Sequence, residues 1–241
     1  LRFALEAEGV RLVSGDRVRA LRREGAGFAL STESGAHVTG DAAIVACGGM
    51  AGEKLGGGKD GYELLRAFGH TRTALYPALA QINTAPEFPR ALKGVKADCA
   101  MRLMRSRETL AESSGEALFT ETGVSGPAAF DLARTASTSG GELTLSLNLL
   151  RGFSFGEVLG YLRSRVENAP QLTAGELFIG AVPNRLARML AKYAGLRQDA
   201  PASGLDARAL KSLAAAAGGF ALPVRGTEGF GTAQVTAGGI K

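Results

Sequence analysis

The chain has 241 residues, 34 of them glycine and only 8 proline, with no three-residue glycine period, which excludes collagen. Hydrophobic residues make up 45% and charged residues 21%, enough to build a packed core, and no apolar run reaches the length of about 18 residues that a spanning helix needs. The net charge of +5 is dispersed, and its densest patch, Arg102 to Arg107, interleaves arginine with apolar residues like one face of a strand, so neither a nucleic-acid nor a membrane partner is expected. In chain order, residues 1–8 read as the last turns of an amphipathic helix. Residues 10–13, 17–21, 28–31 and 37–38 read as a strand followed by an antiparallel meander broken by glycines. The apolar run 42–47, closed by Gly48-Gly49, suits a strand buried on both faces of a parallel sheet, with Cys47 in the core. Residues 62–68 form a helix that Gly69 ends.

From residue 78 to 119 the pattern is mostly strand. Ala97, Cys99, Met101 and Leu103 alternate with their neighbours, and further strands are expected over 108–112 and 116–120. Ser125-Gly126-Pro127 reads as a helix start capped by a hydroxyl, and 143–149 as a strand. Four helices follow over 154–166, 174–179, 183–193 and 206–217, with Ser154 and Asp206 as N-caps and Leu186, Met189, Leu190 and Tyr193 on one stripe. Strands return over 220–224 and 231–236. The fold class is therefore α+β and multidomain. The absence of an initiating Met and the final Gly-Gly-Ile-Lys suggest an interior piece of a longer protein. The two cysteines, Cys47 and Cys99, suit a reducing cytoplasm and, with His37 and His70, make no metal site.

Several motifs invite chemistry. Residues 56–61 fit G-x-G-x-x-G, but the preceding strand ends too early and no acid follows at the right distance. A phosphate loop at Gly58-Lys59 lacks its first glycine and its hydroxyl. Asp60 opens a helix, either as a cap or as a carboxylate that orients a ligand; His70 reads as a partner of the helix C-terminus. The pairs Gly48-Gly49 and Gly238-Gly239 each follow a strand, where bare backbone serves either a tight turn or a flat ligand. No acid, base or nucleophile stands out as catalytic.

The segments AIVACGG (43–49), KDGYELLRAFGH (59–70), YPAL (76–79), GEALFT (115–120), GVSGPA (123–128), VPNRL (182–186) and the run from Gly229 to Ile240 resemble, in order and spacing, the bacterial NAD(FAD)-utilising dehydrogenase and aminoacetone oxidase-like flavoproteins. The resemblance implies an FAD-binding domain of Rossmann type interrupted by a β-barrel-like and helical insert: residues 1–76 a partial FAD domain, 77–152 a β-rich insert, 153–218 a helical insert, and 219–241 strands returning to the FAD domain. It places Val18, Gly48, Gly49, Asp60, Thr236, Gly238 and Gly239 at the cofactor. It implies a fragment of an FAD-dependent oxidoreductase linked to NAD(P)H or O2 and acting on a small molecule, with the chain alone inactive and binding FAD weakly or not at all. Two departures are Cys47, where the family has Thr, and the sequence GGGKDG (56–61), where it has GSTGDG. The alternatives are a non-catalytic binding or lid module and a basic nucleic-acid-binding protein.

Overall fold

A computed structural model describes all 241 residues and divides into two units. The first holds Leu1–Gly49, Gly56–Ala74 and Gly238–Lys241, and the second Met50–Leu55 and Leu75–Ala237.

The first unit opens with α1 (Arg2–Ala7), which buries no residue and carries an Arg2–Glu6 pair at 2.9 Å. Strands β1 (Val18–Glu24), β2 (Gly27–Thr32) and β3 (His37–Gly40) form the expected antiparallel meander. Gly25, at φ 58°, supplies the left-handed turn between the first two strands. Leu21 and Ala29 are its buried residues. Helix α2 (Asp60–Arg66) ends as the sequence suggests: Gly69 has φ 83°, its N–H donates to Arg66 O at 3.0 Å, and the His70 N–H reaches Leu65 O at 3.3 Å. Phe68 then meets Phe28 of β2 with ring centroids 5.9 Å apart.

Two expectations fail here. Residues 10–13 and 42–47 form no paired strand, and Ile44 is 93% exposed. Cys47 is exposed rather than in a core. An apolar run is buried in a parallel sheet only when strands flank it on both sides, and no strand of the chain pairs with this segment.

The second unit runs β4 (Tyr76–Ala78), β5 (Ile82–Thr84), α3 (Glu87–Ala91), β6 (Lys96–Arg105), β7 (Glu108–Phe119), β8 (Gly123–Ser125), α4 (Pro127–Thr138), β9 (Thr144–Asn148), α5 (Phe155–Asn168), α6 (Asn184–Tyr193), α7 (Ala207–Gly218), β10 (Phe220–Thr227) and β11 (Val235–Ala237). Six of the strands close into an antiparallel barrel in the order β10-β5-β8-β7-β6-β9, which leaves no sheet edge unpaired. Period-two alternation puts Ala97, Cys99, Met101 and Leu103 of β6 inside, with Leu145 and Leu147 of β9 and Phe119, Phe220 and Leu222. Burial pushes the Cys99 thiol up to about 12 and makes it an inert core group.

The strands expected over 108–112 and 116–120 are one strand. Its pairing with β6 runs through Ser113↔Met101, Ser114↔Ala100 and Gly115↔Cys99 without a break, so the partner overrides a Ser-Ser-Gly turn signal. Helix α4 is capped by Gly126 at φ 101°, not by the Ser125 hydroxyl. A Cβ at Gly126 would stand 2.6 Å from Glu116 O, so the approach of β7 demands glycine.

The helical part is capped largely as read. Ser154 and Glu157 form a capping box at α5, and Asp206 accepts the Ala209 N–H at 2.7 Å at α7. Residues 174–179 hold only a 3-10 turn, Ala174–Glu176, closed by a Thr173–Glu176 capping box. Leu186 and Leu190 of α6 are buried, and Tyr193 meets Phe220 at 4.8 Å, joining the helices to the barrel core. Arg185 donates to the carbonyls of Ala91 at 2.5 Å and Lys93 at 3.1 Å, a cation on the open C-terminus of α3. No helix is long and apolar enough to cross a membrane.

Candidate functional site

The first unit places Asp60 at the first position of α2, beside β1. Its carboxylate does not cap the helix. The Arg17 guanidinium, just before β1, grips it with both arms: Nε donates to Oδ2 at 2.7 Å and Nη2 to Oδ1 at 2.5 Å. That hydrogen bonding, with the guanidinium charge, holds the Asp60 carboxyl below its ordinary value. Together the two elements wall a cavity of about 200 Å³ lined by Arg17 to Leu21, Asp60, Glu63, Leu64 and Ala67. Val18 and Asp60, 42 positions apart in the numbering, therefore share one concave site.

Gly48 and Gly49 lie near the start of α2. Gly48 has φ 75° and open space where a Cβ would stand, whereas a Cβ on Gly61 would meet Cys47 Sγ at 2.7 Å and lie 4.0 Å from the Gly48 carbonyl. The Gly58 N–H donates to Gly49 O at 2.8 Å, which folds the glycine-rich run back onto the pair. Gly238 has φ 93°. Gly239 runs beside the segment after α2: its N–H donates to Thr73 Oγ1 at 2.9 Å and its carbonyl accepts the Thr73 N–H at 2.9 Å. His70 Nδ1 lies 3.1 Å from Lys241 O, so this histidine is occupied with the chain end.

Thr236 belongs to the second unit. It sits on β11 opposite Pro77 of β4, and its hydroxyl oxygen accepts the Ala51 N–H at 2.9 Å, which leaves its own O–H free to donate. No group of three or more His, Cys, Asp or Glu side chains is placed to hold a metal ion. Sequence reasoning missed Arg17, because a contact across 43 residues leaves no trace in local spacing.

Residues 76–235, which carry the closed barrel and helices α5 to α7, match the family described as HI0933-like protein barrel and H2TH domain. The chain belongs to the HI0933-like flavoprotein family. Over its whole length it is also 31% identical to the 3-dehydro-bile acid delta(4,6)-reductase of Clostridium scindens, and it spans 59% of that relative's length. The barrel of this HI0933-like chain explains several of its family-like motifs as packing. In GVSGPA, Gly123 passes so near β5 that a Cβ would stand 2.0 Å from Ile82 O, and in VPNRL, Arg185 closes α3.

Within the first unit the donors present fit part of a flavin dinucleotide: Gly48 offers bare backbone and Asp60 keeps lone pairs beyond those Arg17 uses. The Gly239 N–H is already spent on Thr73. The cavity beside Asp60 is smaller than the roughly 300 Å³ at which ligand clefts begin, so it accommodates one portion of such a molecule.

Proposed function

We propose that this protein is an FAD-dependent oxidoreductase of a small-molecule substrate, and that this chain supplies part of its flavin site together with the substrate-side barrel and helices. The observation that carries the reading is the shared cavity of Val18 and Asp60 in a chain of the HI0933-like family. In this reading residues 1–76 and the re-entry from Gly231 to Lys241 serve the flavin side, 77–152 form the β-rich insert, which β10 joins to close the barrel, and 153–218 form the helical insert. FAD, when bound, supplies hydride or electron transfer. Val18 and Asp60 wall one portion of the cofactor and Gly48, Gly49 and Gly238 offer it backbone, whereas the Gly239 N–H and carbonyl stay with Thr73. The name of the Clostridium scindens relative, a 3-dehydro-bile acid delta(4,6)-reductase, supports a reductase of a small organic molecule; a link to NAD(P)H or O2 belongs to the same proposal. A cytoplasmic setting belongs to the same reading, supported by the unpaired state of Cys47 and Cys99. The pairing of Arg102 with Glu112 and Lys96 with Glu116 supports leaving nucleic acid out of it.

The test is titration of the chain with FAD. We expect saturable quenching of flavin fluorescence, weak enough that no flavin survives gel filtration. Quenching that never saturates sinks the flavin reading. Stoichiometric flavin carried through the column overturns only the weak binding.

A further inference from the structure

The cavity between β1 and α2 has a charge pattern that narrows what it can hold. Its lining carries four charges, Arg17, Arg19, Asp60 and Glu63. Both cations of the lining, and Lys59 beside Asp60, already have an acid. Arg17 holds Asp60, Arg19 holds Glu33, and Lys59 lies 3.5 Å from Glu63. A phosphate entering here would find no unpaired cation and would face two carboxylates. Neutral hydroxyls would meet acceptors instead. A carboxylate offers about four lone-pair directions, and the two-armed grip of Arg17 uses one on each oxygen. One direction on each Asp60 oxygen stays open, on a side chain whose rotation the planar guanidinium fork has removed.

We propose that Arg17 is a positioning residue that fixes the Asp60 carboxylate at the wall of this cavity, so that its two free lone-pair directions accept a pair of neighbouring hydroxyls and the cavity is a polyol subsite rather than a phosphate subsite. The inference rests on the flavin reading for its setting, because ribose and ribityl are the polyols of such a cofactor. Arg17 need not touch the ligand. It acts through the aim of Asp60, and a lysine in its place would keep the charge but lose the fork.

The test uses the full chain and three probes: adenosine for a ribose source, riboflavin for a ribityl source, and inorganic pyrophosphate for the rejected chemistry. Binding is read from chemical shifts of the residues lining the cavity, and the Asp60 carboxyl is titrated by NMR. One or both polyols should shift these residues saturably and pyrophosphate should not. Whichever polyol binds names the source. Arg17→Met should weaken that binding by about tenfold or more and raise the Asp60 titration. Arg17→Lys should restore much of the titration but not the binding, a split that a merely structural residue would not produce. Arg22→Met, which removes a charge from β1 outside the cavity lining, should change binding by no more than about twofold. Three results overturn the proposal: pyrophosphate binding as well as the polyols, neither polyol binding, or Asp60 titrating alike in wild type and Arg17→Met. Saturable FAD binding with none of these polyol effects would remove this proposal and leave the flavin reading. Polyol binding without saturable FAD binding would do the reverse.

Discussion

Glycine is the residue on which this molecule turns, and its uses differ in physical kind. At Gly48 the backbone has φ 75° but space around it, so the requirement is conformational. At Gly123 the backbone is ordinary, but the Ile82 carbonyl stands where a Cβ would go, 2.0 Å away, with Asn83 Cα at 2.9 Å. Neither neighbour is a side chain that could swing aside. Gly123→Ala should therefore destabilise the barrel by about 3 kcal/mol or more, whereas Gly140→Ala, in open space, should stay within about 0.5 kcal/mol. Chemical denaturation of the two variants decides it, and equal midpoints would refute the packing account. The glycine positions could be read from the sequence, but their reasons could not. GVSGPA reads as a helix start on paper, and its two glycines are close strand contacts in space. Asp60 was readable as a carboxylate at a helix start, and what it does depends on Arg17, which only the tertiary fold brings near.

Elements were readable where the local signal and the tertiary partner agree. The alternation in β6 and the caps of α5 and α7 are such cases, since a period-two pattern or a Ser-x-x-Glu box acts over a few residues. The failures sit where a distant partner decides: β7 is carried through its Ser-Ser-Gly by β6, and residues 42–47 have no strand paired with them. The capping boxes give a pH prediction. Hydrogen bonds from the Ser154 hydroxyl and N–H lower Glu157, and those from the Thr173 N–H and hydroxyl lower Glu176, both from an ordinary value of 4.5. A folded-state value below the unfolded one stabilises the fold above the unfolded value and is lost as pH falls through the folded one. Stability of the helical part should thus decline as pH drops below about 4.5, and Glu157→Gln should flatten that decline. Ser154→Ala should cost about 1 kcal/mol at neutral pH. Helix melting followed by circular dichroism across pH tests both, and an acid limb unchanged by Glu157→Gln would discard the box as its source.

At the scale of the whole molecule the two units differ in what holds them. The second closes a barrel on its own apolar interior and ties its helices in through Tyr193, Phe88 and Phe220, whereas the first has Leu21 and Ala29 as its buried apolar side chains. Local stability follows buried contact and paired backbone. Amide exchange should be slow through β6 and β9 and fast through residues 42–47, with the first unit melting before the barrel. A single transition by calorimetry, or protection at Ile44 matching that at Met101, would contradict this. The binding-module alternative draws its support from the same self-sufficiency: the barrel and helices need no flavin to hold their core.

The short pairing of β4 with β11 has a wider meaning. Thr236 lies opposite Pro77, so the chain enters and leaves the excursion of residues 79–234 at one hydrogen-bonded doorway. An excursion with adjoining ends behaves as a cassette. It can be lengthened, exchanged for another or cut out and bridged by a two-residue turn, while the strands at the doorway keep their register. On the flavin reading proposed above, trading the cassette would change the substrate side and leave the cofactor side as it was.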